Sequence, residues 1–137
     1  MRSVRGRAPL AAVLLVVLAG CGNGTVEVRA GSGSAQLARG QVLRVDLGAV
    51  NPSIGDAWYL TEAPDPAVLA DKGRDFTSDC AAGQAGCGGH LAWEFTARGK
   101  GTTTVAFRYC YRSGPQNCDP GPGRGPADPV RVAVTVR

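Results

Sequence analysis

The residues of this chain that could carry chemistry are five cysteines and a single histidine, His90. Four of the cysteines lie in two close pairs, Cys80 with Cys87 and Cys110 with Cys118. Free thiols beside an imidazole could supply a nucleophile, and four thiolates could hold zinc. The spacings within the pairs are wider than those of zinc knuckles, and one histidine adds little to such a site. Disulfide formation is the third interpretation, and it depends on whether the chain is exported.

The first twenty residues are typical of an export signal. Three arginines precede an apolar run over 8–18, and small residues then lead directly to Cys21. The run is too short to cross a membrane as a helix. The segment resembles a bacterial lipoprotein signal, in which the cysteine is acylated and becomes the mature N-terminus. We expect an exported protein anchored by lipid at Cys21 to the outward side of the cell membrane, with ordinary secretion as the alternative.

The net charge of the chain argues against nucleic-acid binding once the signal is removed. The whole chain has 15 Lys and Arg against 11 Asp and Glu. The signal contains three arginines and no acids, so 12 basic side chains face 11 acidic ones in the remainder. No basic patch remains that would indicate nucleic acid or anionic lipid as a partner.

The four cysteines that remain after Cys21 are an even number in an exported chain, which indicates disulfides. Three connectivities are compatible with four cysteines. The local pairs are favoured, because each short Gly-rich or Pro-rich segment holds its own two cysteines at high effective concentration. A zinc site and the two non-local connectivities stay open at this point.

Short apolar stretches separated by turn residues predict an all-β domain after the signal. The candidate strands are 42–47, 57–61, 91–97, 102–110 and 129–136. No stretch after Leu60 has a convincing helical periodicity, so a two-sheet sandwich is expected. The Gly- and Ser-rich segment 21–38 predicts a lipidated N-terminus and flexible tether, with a first strand at Thr25–Arg29 as an option.

Two further groups of residues have a structural and a functional interpretation. Asp71, Asp75 and Asp79 recur at four-residue spacing, but they lack the glycine and terminal glutamate of a calcium loop. A solvated loop is the better interpretation, and no metal or cofactor is expected. Trp58 and Trp93 are expected in the core of the sandwich.

The segment Asn51-Pro52-Ser53-Ile54-Gly55 has the composition of a stiff turn between two strands. Pro52 fixes its own φ and favours an extended Asn51, while Gly55 can adopt positive φ. A second glycine-rich turn, Gly86-Cys87-Gly88-Gly89-His90, precedes the candidate strand 91–97. Glycines in such a turn let the backbone approach another surface closely.

The order NPSIGDAWYL, then GCGG before LAWEF, then GTTTVAFRY, resembles the chagasin-type inhibitors of papain-like cysteine proteases. The resemblance covers roughly 41–137 and implies an immunoglobulin-like β-sandwich of about seven strands over 39–137. In that family three loops at one end carry NPTTG, GxGG and RPW motifs, and the Gly-rich loop enters the cleft near the catalytic cysteine.

Carried over by position, the resemblance implies that the protease-binding residues lie in three loops. They are Asn51, Pro52, Ser53, Ile54 and Gly55 in the first loop, Gly86, Gly88, Gly89 and His90 in the second, and Tyr111 and Arg112 in the third. The chain departs from the family in having no RPW, since Tyr111 and Arg112 offer an aromatic ring and a guanidinium in another order. Asp56 is also a charge where the family often has an aromatic residue.

The resulting hypothesis is an envelope-anchored, monomeric inhibitor of a papain-like cysteine protease. An inhibitor of this kind needs no nucleophile, base, metal or cofactor. A Cys–His or Ser–His–Asp set could be built only with His90, the single histidine, so an enzyme is not expected. The alternative is a surface-tethered binding or structural module that has the same fold without the inhibitory activity.

Overall fold

The structure is a computed structural model that describes residues 23–123 and 129–137. The predicted lipoprotein signal and Cys21 therefore lie outside the described residues. Within the described ranges, no helix is long and apolar enough to span a bilayer.

Within the described residues, eight strands form two four-stranded sheets, so the fold is an all-β sandwich with one strand more than the resemblance implies. One sheet has the order β1-β3-β6-β5 and the other the order β2-β8-β7-β4. The strands are β1 Thr25–Arg29, β2 Gly33–Leu37, β3 Val42–Val50, β4 Ala57–Glu62, β5 Leu69–Ser78, β6 Gly89–Ala97, β7 Gly101–Cys110 and β8 Val130–Val136. Two short 3₁₀ turns, Pro52–Ile54 and Pro115–Asn117, lie in the connections.

The core lies between the sheets and follows from the alternation of apolar residues along the strands. Phe95 of β6 and Phe107 of β7 are fully buried, and their ring centroids are 6.3 Å apart. In β8, Val132, Val134 and Val136 are buried while the residues between them are not, as expected for a strand with one face on the core. These side chains hold the two sheets together and so fix the positions of the strand ends.

The segment predicted as a tether contains two strands of the sandwich. β1 pairs in parallel with β3, and β2 pairs in parallel with β8. Ala35 and Leu37 are only 6% and 3% exposed, so this part of the chain contributes to the core. The prediction of a flexible tether as far as residue 38 is therefore wrong from Thr25 onward, whereas the optional first strand at Thr25–Arg29 is confirmed. The segment is rich in glycine and serine, so its sequence does not indicate that two of its residues are buried. Their burial follows from the pairing of β2 with β8.

β5, like β2, is a strand that the sequence analysis misses. It is an edge strand, and only its first residue, Leu69, is fully buried, so its sequence lacks the apolar alternation of a half-buried strand. Asp71 and Asp75 lie in this strand rather than in the predicted solvated loop. The Asp71 carboxylate accepts a 2.7 Å hydrogen bond from Trp93 Nε1, and Asp75 pairs with Arg44. The hydrogen bond from Arg44 to Asp75 is the main reason that the pKa of Arg44 is raised.

The two tryptophans lie at the border of the core rather than within it. Trp58 packs edge-on against Tyr109 and Trp93 packs against Phe107, each with ring centroids 5.6 Å apart. Both indoles are partly buried and contact the core cluster. The prediction that they are core residues holds only in part.

Candidate functional site

Three connections meet at one end of the sandwich, which we call the loop end. They are the first loop, 51–56, between β3 and β4; the second loop, 79–88, between β5 and β6; and the third loop, of which 111–123 follow β7 in the described residues. The strand pairing brings them together, because Gly89 at the start of β6 pairs with Val50 at the end of β3 and Ser78 at the end of β5. In the other sheet, Cys110 at the end of β7 pairs with Ala57.

The first loop is held in one conformation by its own hydrogen bonds. Asn51 accepts at its side-chain oxygen from the Ser53 amide at 3.1 Å, and Gly55 donates to the Pro52 carbonyl at 3.0 Å. Gly55 adopts φ 90°, a left-handed conformation in which a Cβ would be strained. The 3₁₀ turn presents Ile54 outward, with 42% of its surface exposed. The sequence prediction of a stiff, shaped loop is confirmed.

The second loop is closed by the disulfide Cys80–Cys87 at its base, one of the two local pairs that the sequence favours. Asp79 donates its amide to the Gly88 carbonyl at 2.9 Å, which continues the β5–β6 pairing one step beyond the strands. A turn inside the loop is closed by the Gln84 amide, which donates to Ala81 at 3.0 Å. The covalent ring and the turn together restrain a segment that is otherwise solvent-exposed.

The first and second loops are joined to each other. The Asn51 side-chain amide donates to the Gly86 carbonyl at 3.3 Å. Gly88 lies so close to the end of β3 that a Cβ built on it would be 3.2 Å from the Val50 carbonyl oxygen and 3.6 Å from Asn51 Cβ. A glycine at position 88 therefore lets the second loop lie against the first, with bare backbone at the surface.

Gly89 and His90 are placed differently from the sequence prediction. They are the first two residues of β6 rather than part of the loop, since they pair with β3 on one side and β5 on the other. Gly89 is buried, and a Cβ there would meet the Thr77 carbonyl oxygen at 2.2 Å. His90 is exposed on the strand. Of the predicted second-loop residues, only Gly86 and Gly88 lie in the loop itself.

The third loop is anchored by the disulfide Cys110–Cys118, the other local pair. The Tyr111 amide donates to Asp119 at 2.7 Å, which closes the loop at the same point as the disulfide. The Arg112 guanidinium lies 5.0 Å from the centre of the Tyr111 ring, and Arg112 has a positive φ of 49°. A Cβ on Gly55 would be 3.4 Å from Arg112 Cα, so the third loop contacts the first.

An open depression of about 300 Å³ lies at the loop end between the first and second loops. Its lining includes Asn51, Asp56, Asp79, Gly88 and Gly89. Asp56 is only 9% exposed, and its Oδ1 atom has no hydrogen-bond partner. The sequence analysis noted Asp56 only as a departure from the family pattern. Its position as a charged residue directly after the NPSIG segment was the signal that could have marked it as a site residue. Asp79 was noted in the sequence only through its spacing from Asp71 and Asp75, and it lies in an exposed loop as expected.

Among residues 23–123 and 129–137, no group of three or more His, Cys, Asp or Glu side chains is arranged to hold a metal ion. All four described cysteines are in disulfides, so the zinc interpretation is wrong. What the loop end offers is a surface of backbone and small side chains tied together by hydrogen bonds and two disulfides, with the side chains of Ile54 and Arg112 exposed beside it.

The family model described as chagasin family peptidase inhibitor I42 matches residues 36–121. The chain belongs to this family. Members of the chagasin family are peptidase inhibitors and not enzymes, which confirms the resemblance noted in the sequence and the expectation that this protein is not an enzyme. Among curated protein sequences, none matches this chain.

Solved structures with the same fold support the architecture. The cysteine protease inhibitor EhICP2 from Entamoeba histolytica has a TM-score of 0.60 at 17% identity, covering 83% of this chain and 96% of its own. Amebosin has a TM-score of 0.57 at 18% identity, covering 85% and 100%. PbICP-C, solved in complex with falcipain-2, has a TM-score of 0.50 at 15% identity, covering 85% and 93%. At these identities the likeness shows the immunoglobulin-like fold.

Proposed function

We propose that this chagasin-family protein inhibits papain-like cysteine proteases by placing the loop end in the active-site cleft. The observation that carries the proposal is the interlocking of the three loops. Asn51 ties the first loop to Gly86 of the second, and Gly55 packs against Arg112 of the third. A surface ordered before binding loses less conformational entropy on association, so more of its contact energy appears as affinity.

The composition of the second loop suits it to enter a narrow cleft. Gly86 and Gly88 have no side chain, and the alanines at 81, 82 and 85 are the smallest residues after glycine. Backbone amides and carbonyls can then hydrogen-bond to the cleft walls without steric hindrance. The Cys80–Cys87 ring restrains the same segment. Restraint of this kind disfavours the extended conformation in which a protease would cleave a peptide.

The first and third loops would contact the two walls of the cleft. Ile54 supplies an exposed apolar side chain on one side. Tyr111 and Arg112 supply an aromatic ring and a guanidinium on the other, residue types that dominate the energy of many protein interfaces. We infer that this pair substitutes for the RPW motif that the sequence lacks. Falcipain-2 as the partner of PbICP-C supports a protease as the kind of partner.

The test is a titration of papain with the chain from residue 22 onward, folded under oxidising conditions. Stoichiometric loss of activity is expected. Gly88→Glu should abolish inhibition, because its side chain would collide with the end of β3 or with the cleft. Thr102→Glu is the matched control, since Thr102 is exposed at the start of β7, at the opposite end of the sandwich. Equal loss in both variants, or no inhibition by folded wild-type protein, would contradict the proposal.

The absence of RPW favours one second candidate, a non-inhibitory binding module with the same fold. It predicts a folded domain that leaves papain and cathepsin-type proteases fully active at micromolar concentration. Its partner would then be recovered through the loop end, and Gly88→Glu would abolish that capture.

We also propose that the protein is exported and lipid-anchored through Cys21, on the strength of the signal-like sequence that precedes it. The wild-type chain expressed in a bacterial host should partition with membranes and be released by detergent. Cys21→Ser should remain in the soluble fraction of the envelope. Membrane association that is unchanged in Cys21→Ser would rule out the anchor.

A further inference from the structure

The disulfide of the second loop is more exposed than the disulfide of the third loop. Cys80 and Cys87 are both half-buried, and every residue between them is exposed. Gln84 is the only side chain in that ring larger than a methyl group. In the third loop Cys118 is also half-buried, but its partner Cys110 is 0% exposed. Access to the sulfur is one of the factors that determine the rate of thiol–disulfide exchange.

Cys87 also lies at the part of the loop end that matters for inhibition. It is flanked by Gly86, which is held by Asn51, and by Gly88, which packs on the end of β3. Neither neighbour has a side chain that would cover the sulfur. If the second loop enters the cleft of a cysteine protease, Cys87 Sγ arrives in the same space as the catalytic thiol.

We propose that the Cys80–Cys87 disulfide exchanges with the catalytic thiolate of the target protease and forms a covalent inhibitor–protease complex. The proposal rests on the function proposed above. The protease thiolate attacks Cys87 Sγ, a new S–S bond forms between the two proteins, and the Cys80–Cys87 bond breaks. Cys80 leaves as a thiolate and takes a proton from water. The protease cysteine is oxidised and Cys80 is reduced, so no further oxidant is required.

The chemistry of the partner suits this step. Catalytic cysteines paired with histidine have strongly lowered pKa values and are present as thiolates at neutral pH. Non-covalent contacts of the first and third loops would hold the sulfurs together at high effective concentration, which favours the exchange. The released Cys80 stays next to the new bond and can reverse it. A thiol-rich solution would likewise return the free protease, so the covalent complex belongs to oxidising surroundings.

The experiment uses papain that has been activated with reductant and then desalted. The oxidised inhibitor chain is added in slight excess, and intact mass is measured without reductant. We expect a one-to-one adduct with the summed mass of the two proteins, inhibition that deepens with time, and recovery on addition of dithiothreitol. Peptide mapping should find Cys87 joined to the protease cysteine and Cys80 alkylated by N-ethylmaleimide.

Two paired variants locate the reaction. Cys80→Ala with Cys87→Ala should lose the slow phase and the adduct, and its reversible inhibition should weaken because the ring no longer restrains the second loop. Cys110→Ala with Cys118→Ala is the matched control and should still form the adduct. Papain blocked beforehand with iodoacetamide should form no adduct with the wild-type chain, a test that needs no folded variant.

The outcomes separate this proposal from the one on which it rests. Inhibition without an adduct at any time overturns the exchange and leaves protease inhibition standing. An adduct through Cys110 or Cys118, or one formed with blocked papain, also overturns it. A folded chain that neither inhibits nor forms an adduct refutes both proposals.

Discussion

Replacement of Gly89 by alanine should destabilise the domain although it adds one methyl group. A Cβ on Gly89 would lie 2.2 Å from the Thr77 carbonyl oxygen and 2.7 and 2.8 Å from two carbons of the Phe76 ring. The first of these distances is about 1.3 Å inside the ~3.5 Å at which carbon contacts are optimal. The Phe76 ring is 41% exposed and can rotate away. The Thr77 carbonyl belongs to the β5–β6 ladder and cannot move without disturbing it.

The expected loss is about 3 kcal/mol in the free energy of unfolding, because the strand must shift or lose pairing. For a domain of this size that corresponds to a fall in melting temperature on the order of 10–20 °C. Urea unfolding followed by tryptophan fluorescence measures it, with the disulfides kept intact. Gly88→Ala is the matched control. Its Cβ would be 3.2 Å from the Val50 carbonyl, so a loss of about 1 kcal/mol or less is expected.

A double variant identifies the obstacle. If the Thr77 carbonyl is decisive, Gly89→Ala should cost nearly as much in a Phe76→Ala background as in the wild type. Full recovery in the double variant would mean that only the ring is in the way. A change of less than about 0.5 kcal/mol for Gly89→Ala alone, typical of an unconstrained surface site, would refute the reasoning.

Four further variants test the remaining contacts. Asn51→Ala removes the bonds to the Ser53 amide and the Gly86 carbonyl, so it should lower stability by about 1 kcal/mol and weaken papain inhibition more than tenfold, measured by urea unfolding and titration. Gly55→Ala forces a Cβ into φ 90° and should cost about 1–2 kcal/mol in the same unfolding assay. Asp56→Leu removes a buried carboxylate with an unpartnered oxygen, so it should raise the free energy of unfolding by about 1 kcal/mol and shift the urea midpoint upward. A lower midpoint would contradict this account. Phe95→Ala empties a fully buried position and should cost about 3–5 kcal/mol by calorimetry.

The alternation of apolar residues was sufficient to predict the strands with one face on the core. The valines of β8 and the Leu91-Trp93-Phe95 pattern of β6 both appear as expected. The edge strand β5 and the short strand β2 could not be predicted in this way. Their residues are mostly exposed or small, and what makes them strands is hydrogen bonding to a neighbouring strand, β6 for β5 and the distant β8 for β2. Sequence periodicity reports burial and does not report pairing.

The turn chemistry of NPSIG and the motifs of the family resemblance were determined by the sequence, because each depends on residues close together in the chain. The sequence favoured the two local cysteine pairs, and the structure decided between them and the alternatives. Only the tertiary structure decided how the two glycines of the second loop differ. Gly88 is a surface residue that lets two loops meet, whereas Gly89 is a buried strand residue against the Thr77 carbonyl. It also decided that Asp56 is buried at the loop end. Such distinctions arise from the pairing of β6 with β3 on one side and β5 on the other, and the residues of one strand do not show which backbone atoms its neighbours place beside it.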